Sequence, residues 1–387
     1  MWQDPKGDQK RSDFSKVLLD INSLTGHHSW EPVSLERVAD SNVWFKLFKV
    51  DSKWRASYSF IPITSEQCPL TEQKNAINAK QKQREWWLSI IKNQTHDPLN
   101  KLPIITAGWG KSSALHLPDA LPEVGWKEWD QGELNSLSMA DLNTVSWSST
   151  VLKNQRDCVL YSTANGEAPV VILLDGQKWG ADSGMLSVLQ YLTNSHKIAP
   201  AHYLLIPSIN NSIRWKELSC DNEFWMAIVN ELLPLVRAEL ALSDSAIIGG
   251  LVAGQSLGGL SALYAGMYFP EVFSKVISLS GSFWWPEMDR MRDPDSFKLN
   301  NPDWDSQPPH NSLADKILKD EVNISTLKIF QSIGLAEKDM CIYNDITYQA
   351  MQQKGAEVYY EKVHGGHDWL SWRASLINGL IKLLGDK

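Results

Sequence analysis

The residues best suited to chemistry sit together at Gly254-Gln255-Ser256-Leu257-Gly258. An apolar run over residues 247–253 leads into them, and a helix-like pattern starts directly after. Gly-x-Ser-x-Gly between a strand and a helix is the spacing of a nucleophile elbow, a sharp turn that lifts a serine hydroxyl above a sheet. The glycines fit that geometry: side chains at 254 and 258 are expected to collide where strand and helix come close, and the serine backbone is expected to be strained.

A serine hydroxyl is a poor nucleophile at neutral pH, so it needs a base, and the base needs a group to orient it. After an elbow of this kind the chain order is serine, acid, histidine. The last strand-like run, 358–360, leads into His364-Gly365-Gly366-His367-Asp368-Trp369. Both histidines are candidate bases; His367 is preferred to His364, and the glycines allow a tight loop that projects a side chain. The loop after the run 327–333 carries Glu337 and Asp339. Glu337 is the preferred acid and Asp339 the alternative, although either could be a solvated charge or a helix cap. An oxyanion hole needs two backbone N–H donors. Leu257 is expected to supply one, and the turn Asp175-Gly176-Gln177-Lys178-Trp179 the other, at Gln177.

The elements that must position these groups are legible in outline. Continuous apolar runs at 170–174, 203–206, 247–253, 276–279, 327–330 and 358–360 alternate with helical patterns near 183–192, 222–241, 258–268, 341–354 and 369–384. Strands buried on both faces and alternating with helices predict an α/β domain with a mostly parallel sheet. A hairpin is expected ahead of it over 144–161. Runs at 17–21, 43–50 and 54–61 read as short strands of a small antiparallel β-sandwich. Between the two, residues 97–132 mix four prolines with Trp109, Trp126 and Trp129, a linker expected to pack rather than float. The expected domains are therefore 1–135, a β-sandwich with its Trp/Pro-rich linker, and 136–387, the catalytic domain.

Composition narrows the function classes. With 387 residues and 43% hydrophobic content there is material for two large cores. The net charge of −8 and the absence of a basic run argue against nucleic acid as a partner. The four cysteines, at 68, 158, 220 and 341, are far apart in sequence, which argues against a zinc site or a disulfide framework. No apolar run is long enough to cross a membrane, and the start has no basic stretch followed by an apolar one. A cytoplasmic setting is expected. His27-His28 invites a metal reading, but two adjacent histidines need further ligands, so no metal and no cofactor are expected.

The chain resembles the ferric enterobactin (enterochelin) esterase family of the esterase-D group. The resemblance rests on Leu173-Leu174-Asp175-Gly176-Gln177-x-Trp179, on Arg214-x-x-Glu217 and Glu231-Leu-Leu-Pro234, and on Ala253-Gly-Gln-Ser256-Leu-Gly-Gly. It rests also on Ser280-Gly-Ser-Phe-Trp-Trp-Pro286, on Gly365-Gly-His367-Asp-Trp-x-x-Trp-Arg373 and, early in the chain, on Asp97-Pro-Leu-Asn100. It implies an α/β-hydrolase preceded by a small Ig-like β-sandwich. It implies a serine esterase that opens a triserine trilactone bearing catechols, with the iron-loaded siderophore as its expected substrate, Ser256 and His367 carried over as catalytic and Glu337 matched more loosely. A trianionic ferric tris-catecholate calls for guanidinium or ammonium groups and flat aromatic faces. Arg214, Lys178 and Arg373 are the candidate charges; Trp179, Trp285, Trp284 and Trp369 are the candidate faces, each of which could instead be core. Two other readings compete: a feruloyl or other acyl esterase or acyltransferase of the same group, and a non-catalytic binder of the siderophore.

Overall fold

A computed structural model describes residues 1–26, 29–68, 78–106, 110–137, 142–180, 184–243, 249–286 and 312–385. His27 and His28, the adjacent histidines noted above, lie outside the described residues. The chain divides into two compact units. The first is Met1–Pro122 together with His364–Ser371; the second is Glu123–Val363 with Trp372–Lys387.

The first unit holds two three-stranded antiparallel sheets. One orders β1 (Trp2–Gln3), β4 (Val43–Phe45) and β3 (Glu36–Arg37) as β1-β4-β3. The other orders β2 (Phe14–Ile21), β5 (Arg55–Thr64) and β6 (Ser113–His116) as β2-β5-β6. Alternation decides what each face meets. Val17, Leu19, Ile21, Ala56 and Phe60 point to one side and pack with Trp2 and Trp44 of the other sheet. Leu18, Ile61 and Ile63 point to the other side and pack with Ile90 and Trp86 of the helix Ala79–Ile90. The expected sandwich is present, with a helix beneath it to which the sequence reading had assigned nothing. The expected strand at 43–50 shrinks to Val43–Phe45. Part of the expected linker is sheet: β6 pairs antiparallel with β5. Asp97 and Asn100 tie it there, Asp97 accepting from the Tyr58 hydroxyl at 2.8 Å and Asn100 donating to the Ala114 carbonyl at 2.7 Å.

Asp20, on β2, carries a titration that can be measured. Burial, and secondly the charge of Asp368, push its carboxyl from 3.8 up to about 6. A folded-state pKa above the unfolded one means that the folded state binds the proton more tightly. Stability from this group is therefore present near pH 4 and is lost as pH rises through 6. At pH 7.5 the Asp20→Asn variant should be more stable than wild type by roughly 3 kcal/mol, and the two should converge near pH 4. Thermal midpoints of both proteins across that range check it; parallel curves would refute the assignment.

The second unit is built on an eight-stranded sheet ordered β14-β13-β12-β11-β9-β10-β8-β7. The strands are β7 (Asn143–Ser149), β8 (Asn154–Ser162), β9 (Val170–Leu174), β10 (His202–Ile206), β11 (Gly250–Gln255), β12 (Phe273–Leu279), β13 (Lys328–Gly334) and β14 (Glu357–Val363). From β10 to β14 every pairing is parallel, while β7 and β8 form an antiparallel hairpin joined to β10. Every residue of β9, β10 and β11 is buried, as strands covered on both faces require. The edge strand β7 instead alternates, burying Val145, Trp147 and Ser149. The helices Met185–Asn194, Asn211–Leu218, Leu257–Tyr268, Asp339–Gln353 and Trp369–Leu384 follow the expected patterns or fill the connections between them. The pattern at 222–241 resolves into Asn222–Ala227, a π-helical turn Ile228–Leu232, and Leu233–Leu240. Glu231 sits in that turn and accepts from the Trp147 indole at 3.2 Å and the Thr150 N–H at 3.1 Å, fastening the helix to the hairpin.

Candidate functional site

Ser256 follows β11 and opens the helix Leu257–Tyr268, with φ 60° and ψ −120°. That conformation is strained for a residue with a side chain and is held by its surroundings. Its N–H donates to the Leu279 carbonyl at 2.8 Å, and its own carbonyl accepts from Gly259 at 3.0 Å and Ser282 at 3.1 Å. The close approach is borne by Gly254, where a Cβ would lie 2.4 Å from the Gly258 carbonyl oxygen. The expectation for Gly258 needs correcting. A Cβ there would meet Leu174 at an ordinary 3.5 Å, whereas one on Gly259 would meet Ser278 Oγ at 2.9 Å.

The turn after β9 is equally constrained. Asp175 adopts a left-handed φ of 55°, and a Cβ on Gly176 would strike the Leu205 carbonyl carbon at 2.5 Å. The Asp175 carboxylate is buried and draws in four donors. Arg214 Nε and Nη2 reach it at 2.7 Å each, Ser208 Oγ at 2.6 Å and Gln255 Nε2 at 3.3 Å. Arg214 thus directs its fork at a carboxylate inside the protein. Gln177 is exposed, and its side-chain oxygen accepts from the Ser208 N–H at 2.9 Å. Leu257, at the first helical position, presents an N–H that the helix itself does not use. Lys178 is half-buried, and burial lowers its pKa against the raising effect of Asp175.

Trp179 was expected to offer a face to substrate, and the structure corrects this. It is 1% exposed, with its indole N–H on Gln255 at 3.2 Å. Trp285 is half-buried. Trp215, which the sequence reading passed over, is 37% exposed and lies with its ring 6.0 Å from that of Trp284. Arg373 is neither a free cation nor a solvated one; it is buried against Glu123 and Asp130.

The two candidate acids differ in setting. Glu337 is buried, and its Oε1 accepts from Ser280 Oγ at 2.5 Å and from the Gly334 N–H at 2.8 Å. Ser280 in turn accepts from the Trp372 indole at 3.0 Å. Asp339 instead starts the helix Asp339–Gln353 and is partly exposed; burial raises its pKa, against Lys338. Of the two histidines, His364 lies with Nδ1 3.5 Å from Asp51, and its carbonyl accepts from the Arg55 N–H. His367 is half-buried, and its backbone N–H points at Ser23 Oγ, 3.4 Å away. The sequence reading also missed Ser282, whose Oγ is 3.4 Å from that of Ser256. Its only signal was its place in the run Ser280 to Pro286.

A serine on a strained strand-to-helix turn, in a parallel sheet with an antiparallel edge hairpin, defines an ester hydrolase of the α/β-hydrolase class. Comparison with known proteins narrows the class. The family model Esterase matches residues 149–383, and the model Enterochelin esterase, N-terminal, matches residues 1–126. The iron(III) enterobactin esterase of Dickeya dadantii is 36% identical over 99% of this chain and 86% of its own length. That of Escherichia coli K12 is 34% identical over 99% of this chain and 90% of its own. Among solved structures, the ferric enterobactin esterase of Salmonella typhimurium has a TM-score of 0.82 at 32% identity, over 99% of this chain and 92% of that one. The enterobactin esterase of Shigella flexneri, solved in the presence of enterobactin, has a TM-score of 0.80 at 33% identity, over 99% and 91%. The chain belongs to the enterochelin (enterobactin) esterase family.

Proposed function

We propose that this chain hydrolyses the ester bonds of an enterobactin-type triserine trilactone, with the iron-loaded siderophore as its working substrate, in the cytoplasm. The observation that carries the reading is the strained Ser256 at φ 60°, in a chain similar to iron(III) enterobactin esterases along nearly its whole length. These relatives do not favour the feruloyl-ester alternative.

In the proposed mechanism Ser256 Oγ attacks a lactone carbonyl while His367 takes its proton. The backbone N–H of Leu257 and the turn at Gln177 receive the developing oxyanion. His367 then returns the proton to the departing serine hydroxyl of the substrate, leaving an acyl-enzyme. Water repeats the sequence and releases the acid. Glu337 holds His367 in the required tautomer and stabilises its cationic form. Lys178, Trp285 and Trp215 are the groups offered to the anionic, aromatic substrate, with Arg214 supporting the turn through Asp175.

Chromatography of ferric enterobactin after incubation with the enzyme tests the substrate. Linear trimer, dimer and monomer should appear. If none forms while a fluorophosphonate still labels Ser256, the hydrolase acts on a different ester, and the siderophore reading fails.

A further inference from the structure

The segment that carries His367 clusters with the first unit, although its chain neighbours on both sides belong to the second. Its seat is built from backbone and short side chains of the first unit. A Cβ on Gly365 would lie 2.9 Å from the Arg55 carbonyl oxygen, and one on Gly366 would lie 2.3 Å from Ser23 Oγ and 3.1 Å from the Asn22 carbonyl oxygen. Only glycine lets the loop lie this close. The residue after His367 is the fastening. Asp368 is 4% exposed, and its carboxylate accepts from the Ser57 N–H at 3.0 Å, from the Ser57 hydroxyl, and from the Leu370 N–H at 2.9 Å. Ser57 lies on β5, so a strand 311 residues earlier in the chain supplies two of these donors. The Arg55 N–H adds a further bond to the His364 carbonyl at 2.9 Å.

A general base works only if its ring is held to within about half an ångström, and a Gly-Gly loop has no stiffness of its own. We infer that the Ser57–Asp368 pair is a clasp that positions the His367 loop on β5. Asp368 touches no reacting atom in this scheme; it acts through the neighbouring imidazole. The inference rests on His367 being the base of the proposed triad, and the test separates the two.

The experiment is a double-mutant cycle on hydrolysis of ferric enterobactin, comparing wild type, His367→Ala, Asp368→Ala and the double variant, with thermal midpoints recorded beside kcat and KM. His367→Ala should lose activity by about 10⁶-fold. Asp368→Ala should lower kcat by about 10²-fold with KM nearly unchanged. The double variant should be no slower than His367→Ala alone, because a clasp has no effect once the group it holds is gone. A merely structural role would carry its loss into both backgrounds, and that result overturns the proposal. So does an Asp368→Ala enzyme with wild-type kcat, or a loss confined to KM. If Asp368→Ala does not fold, Ser57→Ala removes only the hydroxyl donor and should lower kcat by roughly tenfold, with Ser57→Thr restoring it. A fully active His367→Ala would instead strike the base assignment itself, and this inference with it.

Discussion

Ser256→Ala is expected to lower the turnover of ferric enterobactin by about 10⁶-fold while leaving the thermal midpoint close to that of wild type. The loss follows from removing the hydroxyl that the strained elbow turn carries. The near-unchanged stability follows from the backbone: φ 60° and ψ −120° are strained for any residue with a Cβ, so alanine neither relieves nor adds to that strain. Ser282 is the obvious substitute nucleophile, with its Oγ only 3.4 Å from Ser256 Oγ. It is 1% exposed, however, and lacks access to a substrate carbonyl. Residual activity within about tenfold of wild type would therefore move the nucleophile away from Ser256 and end the proposed mechanism. Assayed in the same way, Glu337→Ala should fall by roughly 10⁴-fold and Asp339→Ala by about twofold at most. The distinction rests on setting. Glu337 is buried and aimed by Ser280 and Gly334, whereas Asp339 is partly exposed at a helix start.

What the sequence made legible was whatever depends on near neighbours in the chain. The strands β9 and β11 were visible because burial on both faces leaves them apolar throughout, except for Gln255 at the end of β11. The elbow was visible because its glycines and serine are adjacent. What depended on distant partners was hidden. Arg214 looked available for an anionic substrate because nothing near it in sequence announces Asp175, which takes its guanidinium. Trp179 looked like a possible face because its burial is decided by strands from elsewhere in the sheet. The helix Ala79–Ile90 was missed because its first two turns run Lys80, Gln81, Lys82, Gln83, Arg84 and Glu85, and the residues that pack against the sheet, Trp86, Trp87 and Ile90, come only in its last turn or so. Asp368 was quoted as part of a motif, yet its partner Ser57 is on the opposite side of the sequence. The histidine could be placed after the last strand, but the unit that holds its loop could not be read from chain order.

Arg373→Ala should be the most damaging single substitution for stability in the second unit, lowering it by about 3–5 kcal/mol. The guanidinium is 3% exposed and sits between two carboxylates. Its Nε and Nη2 reach Glu123 at 3.1 and 2.8 Å, its Nη1 reaches Asp130 at 3.1 Å, and its Nη2 bonds Asp130 as well. Burial by itself would lower the Arg373 pKa, but the two carboxylates outweigh it and the net direction is upward. The cation also lies 4.7 Å from the Trp126 ring centroid, and the Trp126 indole donates to the Arg373 carbonyl at 3.0 Å. Removing the arginine takes away a buried cation on which two carboxylates converge, which is costlier than the loss of an exposed ion pair. The argument predicts a specific rescue. Adding Glu123→Gln and Asp130→Asn to Arg373→Met removes the two carboxylate charges and should recover more than half of the lost stability, as measured by urea midpoints at pH 7.5. If the triple variant is no more stable than Arg373→Met, packing around Trp126 rather than charge compensation is what Arg373 supplies. The same set should leave kcat on ferric enterobactin within about twofold wherever the protein is folded, since none of these three groups is offered to the substrate in the proposed mechanism.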